Sequence, residues 1–167
     1  LTILFSLFST TVSAAPWQAP SAPVTFTILH TNDFHGQLEA SSAVATSASN
    51  PGMARTANVV NTIRTAKGPA NVLLVDAGDE MQGSLLSNIQ KGQPTIGVFN
   101  AMGYAAATFG NHEFDWGQDV LTERVADATY PYVSANIVVN DTGNCSTAGW
   151  TSPVFVKAPY KILTVGS

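Results

Sequence analysis

Apolar side chains in this chain follow two different spacings, one typical of strands and the other typical of helices. Residues 24–29 alternate β-branched and aromatic side chains, which predicts a first strand. Residues 72–75 form a short, wholly apolar run of the kind that is buried on both faces in a mostly parallel sheet. Further strands are predicted at residues 105–109, 132–139 and 160–165.

Segments whose apolar residues have helical spacing lie between these predicted strands. Met53, Ala57, Val60 and Ile63 recur at the spacing of one helix face, and this helix is expected to end near Gly68. Three more helices are predicted at residues 84–89, 95–102 and 120–128. Because strands and helices alternate along the chain, the sequence predicts an α/β fold with a layered sheet flanked by helices.

The first residues are typical of a secretory signal peptide. Residues 1–8 form an apolar run too short to span a bilayer, and small residues follow as far as Ala15. We therefore expect residues 1–15 to be a partial signal peptide, since the sequence opens on Leu1, and residues 16–23 to be a Pro-rich linker. A buried strand or helix is the alternative for this run. The signal peptide predicts a secreted or extracellular protein.

Composition narrows the possible partners. Of 167 residues, 45% are hydrophobic and 11% are charged, which favours a folded domain over disorder. A net charge of -4, with seven scattered Lys and Arg residues, argues against a nucleic acid partner. No apolar run is long enough for a transmembrane span.

The single cysteine, Cys145, is expected to be either a free thiol or one half of a disulfide with a cysteine elsewhere. Close to it, Asn140 and Asn144 each begin a glycosylation acceptor triplet.

Side chains suited to metal binding follow the first two predicted strands. Asp33 and His35 are two residues apart, so in an extended segment both would project to one side and share a metal ion. Asp79 follows the buried apolar run, where a carboxylate can bridge two metals. The alternatives are a structural histidine at the first position and an ordinary turn aspartate at the second. Asp76 is expected to be structural.

A third group, GNHEFD at residues 110–115, follows another predicted strand. Asn111 supplies a neutral oxygen ligand, and His112, held by Asp115 three residues later, is a proton donor of fixed orientation. Alternatively, Asn111 caps the next helix and Asp115 complements its dipole. All three groups follow strands, in a chain with only three histidines, and this combination favours one shared site over three separate structural roles.

These segments resemble those of the calcineurin-like metallophosphoesterases, and specifically their 5'-nucleotidase branch. The similarity covers nearly all of the chain from residue 24. The motifs that match most clearly lie at residues 28–33, 52–55, 76–79 and 111–117. The resemblance implies that Asp79 bridges two metals. It assigns metal binding to Asp33, His35, Asp79 and Asn111, and catalysis to the pair His112 and Asp115.

The resemblance implies a hydrolase of phosphomonoesters, most of all nucleoside 5'-monophosphates or related nucleotides. Two divalent ions, such as zinc or manganese, would activate water and neutralise the phosphoryl oxygens. The branch also uses later histidines that this chain lacks. We therefore expect residues 24–167 to be the N-terminal part of the metallophosphoesterase domain, incomplete at its C-terminus and inactive alone. The alternative is a non-catalytic secreted binding or surface protein that retains half of the site.

Overall fold

A computed structural model of the chain describes residues 23–41, 50–139 and 151–166. The expected signal peptide, nearly all of the linker, Cys145 and both glycosylation triplets lie outside the described residues.

Two parallel strands form the regular part of the sheet. Strand β1 (Thr27–Thr31) pairs with β2 (Val72–Asp76), with Thr27 opposite Val72 and Thr31 opposite Asp76. The first strand was expected at residues 24–29, so the sequence placed it too early. Its alternating side chains start before residue 27, but the ladder runs only where β2 supplies hydrogen-bonding partners.

Beyond β2 the sheet continues as single parallel bridges rather than as regular strands. These bridges join Val75 to Ala106, Ala107 to Tyr132, and Val133 to Ala158. The strands predicted at residues 105–109 and 132–139 are therefore present only as bridge positions. The prediction of a strand at residues 160–165 is wrong. The last pairing position lies earlier, at Ala158. Tyr160 and Ile162 are exposed and have no strand partner in the described part of the chain.

All four predicted helices are present, and two of them begin earlier than their apolar spacing indicates. They are α1 (Met53–Lys67), α2 (Leu85–Ile89), α3 (Gln93–Met102) and α4 (Gly117–Asp127). The first turns of α3 and α4 carry polar or small residues, so hydrophobic periodicity misses them. Short 3-10 helices occupy Pro69–Asn71 and His112–Phe114. No helix in the described ranges is long and apolar enough to cross a membrane.

The helices and the sheet share one apolar core. Strand β2 runs through it with Val72, Leu74 and Asp76 buried on alternate positions. Phe99 of α3 is fully buried and stacks on Tyr104, with ring centroids 4.0 Å apart and ring planes 5° from parallel. The Tyr104 hydroxyl lies 2.9 Å from the Thr31 hydroxyl, so this aromatic stack contacts the carboxyl end of β1.

We predict that Leu74→Ala lowers the free energy of unfolding by about 2–5 kcal/mol, because it removes a fully buried side chain and leaves a cavity. Leu85→Ala is the matched control, since Leu85 is 76% exposed, and its effect should stay within about 0.5 kcal/mol. Urea denaturation of both purified variants measures the difference. Equal destabilisation of the two variants would contradict the core assignment.

Candidate metal centre

The segments that follow β1 and β2 lie side by side at the same edge of the sheet. The amides of Asp33, His35 and Gly36 donate hydrogen bonds to the carbonyls of residues 78, 79 and 80, at 3.0, 2.9 and 2.8 Å. Parallel pairing explains this arrangement, because the carboxyl ends of neighbouring parallel strands meet at one edge. The first two predicted groups are therefore held together by backbone hydrogen bonds.

The third group approaches the second through two glycines. Gly78 has a φ of +99°, and a Cβ atom on it would collide with the backbone nitrogen of Gly110. The Asp79 carboxylate accepts a hydrogen bond from the amide of His112 at 2.8 Å. The structure thus brings all three predicted groups to one place, although the first and third are far apart in the sequence.

Asp33, His35 and Asp79 form a compact set of ligating atoms. One carboxylate oxygen from each aspartate and one ring nitrogen of the histidine all lie within 4.8 Å of one another. The expectation of an extended segment at Asp33 and His35 is wrong, because β1 ends at Thr31. These two residues and Asp79 adopt left-handed backbone conformations, with φ of 49°, 53° and 57°, and the turn brings the side chains together.

Hydrogen bonds orient two of these side chains. The Nδ1 atom of His35 lies 2.9 Å from the Gln82 carbonyl oxygen. A carbonyl only accepts, so Nδ1 carries the hydrogen and Nε2 of the neutral ring has a lone pair for a cation. The side-chain amide of Asn32 donates to the Asp33 carboxylate at 2.7 Å. Two carboxylates and an imidazole are a donor set that fits a divalent cation of the zinc or manganese type.

His112 and Asp115 form a hydrogen-bonded pair beside this set. The Nδ1 atom of His112 is 2.7 Å from the Asp115 carboxylate, and the His112 ring lies edge-on to His35 with centroids 5.1 Å apart. The hydrogen bond to Asp115 raises the pKa of His112 above its ordinary value. The ring therefore keeps its second proton to a higher pH than a histidine without such a partner.

Asn111 lies at the start of the same turn. Its side chain is exposed and makes no capping hydrogen bond to the short helix that follows, and α4 begins only at Gly117. Asn111 thus occupies the N-cap position of the short helix without capping it through its side chain, and Trp116 occupies the N-cap position of α4. The amide of its neighbour His112 donates a hydrogen bond to Asp79, which places Asn111 at the junction of the second and third groups.

Asp76 has the structural role that was expected for it. It is buried and accepts a hydrogen bond from the Gly78 amide at 2.7 Å.

Two buried glutamates, neither of which is assigned a role from the sequence, lie below these loops. Glu80 is fully buried and Glu113 is 1% exposed. Burial, and then the nearby Asp76 and Glu113 carboxylates, raise the pKa of Glu80 well above its usual range. Burial also raises the pKa of Asp76 to about 6, although hydrogen bonds from Thr31 and Gly78 oppose that shift. Neither glutamate stands out in the sequence, because each adjoins a polar residue in an apparent surface turn.

Comparison with known proteins identifies the domain. The sequence profile of calcineurin-like phosphoesterases matches residues 26–163. The chain is 39% identical over 160 residues to a 5'-nucleotidase from Bos taurus, an alignment that covers 92% of this chain and 25% of the relative. It is 37% identical over 146 residues to a snake venom 5'-nucleotidase from Naja atra, covering 84% of this chain and 26% of the relative.

A solved structure shows the same fold. The 5'-nucleotidase precursor from Thermus thermophilus superposes with a TM-score of 0.64 at 32% identity, covering 83% of this chain and 26% of that one. The chain thus spans about a quarter of the length of the relatives that it matches. Both the fold and the resemblance predicted from the sequence are confirmed, and the chain belongs to the calcineurin-like phosphoesterase family.

Proposed function

We propose that the protein to which this chain belongs hydrolyses phosphomonoesters, with nucleoside 5'-monophosphates or related nucleotides as substrates. The observation that carries this proposal is the convergence of Asp33, His35 and Asp79 within 4.8 Å, beside the hydrogen-bonded pair of His112 and Asp115. The 5'-nucleotidase relatives from Bos taurus and Naja atra support the substrate class.

Four residues of this chain are proposed to hold divalent cations. Asp33, His35 and Asp79 would bind one cation, and by the family resemblance Asn111 would bind a second cation that Asp79 also contacts. Bound divalent cations supply Lewis-acid activation of water and neutralise charge on phosphoryl oxygens. The donors are nitrogen and oxygen atoms that zinc, manganese and related ions all accept, so this set does not select one metal.

His112 is proposed to act on the phosphoester itself. Its Nδ1 atom faces Asp115 at 2.7 Å, which leaves Nε2, on the opposite side of the ring, to meet the substrate. With its pKa raised by Asp115, the imidazolium is available to donate a proton to the leaving alkoxide or to stabilise negative charge in the transition state. Asp115 would hold the ring in the productive orientation.

The proposal predicts metal-dependent release of phosphate from a nucleoside 5'-monophosphate by the full-length protein. Removal of metal with EDTA should abolish the release, and added Mn²⁺ or Zn²⁺ should restore it, because the cations supply the charge neutralisation. A phosphate assay measures the rate. Parallel assays with a cyclic nucleotide and a nucleotide sugar define the substrate class.

A folded protein that releases no phosphate with either metal would contradict this proposal. That result would favour the alternative of a secreted binding or surface protein that retains half of the site. Release that persists after complete chelation would contradict the metal assignment instead.

The catalytic role of His112 predicts a large and specific loss of rate. His112→Ala should lower kcat by about 10²- to 10⁴-fold, because it removes the proton donor. Asp115→Asn should lower kcat to a smaller extent, since it weakens the orientation of the ring without removing it. The matched control is Asp119→Asn in the exposed first turn of α4, which should keep the activity of the unmodified protein. Equal kcat values for His112→Ala and the control would exclude His112 from the chemistry.

We also propose that the protein is exported, with residues 1–15 as part of its signal peptide. The apolar run at residues 1–8, the small residues that follow it and the snake venom relative support this proposal. Expression of the full precursor in a eukaryotic cell should yield a processed protein in the medium whose N-terminus lies near Pro16. N-terminal sequencing checks the cleavage position, and an unprocessed protein retained in the cytosol would contradict the proposal.

A further inference from the structure

Glu113 is a buried carboxylate that accepts hydrogen bonds from two different segments of the site. Its Oε2 atom accepts from the amides of Asp79 at 2.8 Å and Gly110 at 2.6 Å. Its Oε1 atom accepts from the amide of Glu80 at 2.9 Å. The side chain is 1% exposed, so these amides replace the water that would otherwise solvate the carboxylate. One side chain thereby joins the segment after β2 to the turn that carries Asn111 and His112.

The segment after β2 is held from both sides. Its carbonyls at residues 78, 79 and 80 accept hydrogen bonds from the segment after β1, and its amides at residues 79 and 80 donate to Glu113. Asp79 therefore has both backbone polar groups engaged, the carbonyl with His35 and the amide with Glu113. The position of its side chain depends on this pair of attachments.

A third hydrogen bond joins the same two segments and runs in the opposite direction. The Asp79 carboxylate accepts from the amide of His112 at 2.8 Å, while the carboxylate of Glu113 accepts from the amide of Asp79. Each segment thus contributes an acid that binds a backbone amide of the other. Asp79 is also in a left-handed conformation, with φ of 57°, which such attachments on both sides stabilise.

We propose that Glu113 is a positioning residue for the metal centre, acting through the backbone of Asp79 and Gly110. It determines where the Asp79 carboxylate lies relative to His35 on one side and to Asn111 and His112 on the other. This inference rests on the proposed function for the assignment of a metal to the site. Groups that orient metal ligands typically change metal affinity by about 10- to 100-fold when they are removed.

The chemistry of the three contacts requires a carboxylate at this position. Both oxygens of Glu113 only accept hydrogen bonds, and all three partners are amide donors. Glu113→Gln preserves size and shape but replaces one oxygen with an NH₂ group that would face an amide hydrogen. Glu113→Asp keeps both acceptor oxygens on a side chain that is one methylene shorter. Comparison of the two variants thus distinguishes the loss of an acceptor oxygen from the shortening of the side chain.

The test measures binding of Mn²⁺ alone to the full-length, metal-free protein by isothermal titration calorimetry. We expect Glu113→Gln to weaken Mn²⁺ binding by about 10- to 100-fold, with Glu113→Asp between it and the unmodified protein. Glu123→Gln on α4 is the matched control, since Glu123 is exposed and pairs with Arg124 away from the site; its Mn²⁺ affinity should not change. At saturating Mn²⁺, Glu113→Gln should lower kcat for a nucleoside monophosphate more than it changes KM.

Stability measurements decide between positioning and purely structural roles. Circular dichroism and thermal unfolding are recorded for each variant without metal. A Glu113→Gln protein that unfolds at lower temperature but binds Mn²⁺ as tightly as the control would overturn the proposal. Failure of both Glu113 variants to fold would overturn it as well, because Glu113 would then serve the fold rather than the metal centre.

The same experiment distinguishes this inference from the proposed function. If the unmodified protein binds Mn²⁺ but releases no phosphate, the proposed function fails, and the comparison of Mn²⁺ affinities still decides the role of Glu113. If phosphate is released and Glu113→Gln binds Mn²⁺ normally, only the inference about Glu113 fails. If the unmodified protein binds no Mn²⁺ or Zn²⁺, both fail together.

Discussion

The parallel pairing of β1 with β2 is the constraint on which the rest of the site depends. Its register places Thr31 opposite Asp76, so both strands end at one level and both chains turn out of the sheet together. The Thr31 hydroxyl donates a hydrogen bond to the Asp76 carboxylate at this junction. Past the strands, the amides of Asp33, His35 and Gly36 donate backbone hydrogen bonds to the segment that leaves β2. A shift by one residue would remove these bonds and turn the polar groups to the wrong face.

The site uses one functional group, the carboxylate, in three ways that depend on its surroundings. Asp33 and Asp79, which are exposed or half-buried, are available to a cation. Glu113 is buried and accepts backbone amides. Glu80 is buried among other acids, and its raised pKa favours the neutral form, which limits the negative charge that is held inside the protein. Burial and hydrogen bonding therefore separate the roles of neighbouring acids in a short stretch of chain.

The sequence predicted the fold class, the four helices, the core strand β2 and the convergence of the polar groups, because these depend on local periodicity and on the order of strands. It did not predict how little regular strand exists beyond β2, since pairing depends on partners that are distant in sequence. It also misjudged the conformation at Asp33 and His35, because residue spacing does not report a left-handed turn. The metal-binding and catalytic assignments of the six site residues stay predictions.

Glu113 shows a different limit of sequence interpretation. Its two neighbours in the chain, His112 and Phe114, are each half-buried, and nothing in the order of residues marks Glu113 as the one that points inward. Its partners are backbone amides, which every residue except proline carries, so no complementary side chain appears in the sequence to reveal the contact. Only the three-dimensional approach of Gly110 and Asp79 identifies its role.

The left-handed backbone at Asp33, His35 and Asp79 has a consequence for protein engineering. Side chains other than glycine cost about 1–2 kcal/mol each in this conformation, so the three residues are retained at the expense of stability. Glycine would fit the same backbone without that cost, and it would carry no ligating atom. Directed evolution that selects for heat resistance alone would weigh this gain against the hydrogen bonds that the three side chains make, and each glycine would remove one ligand of the proposed metal centre.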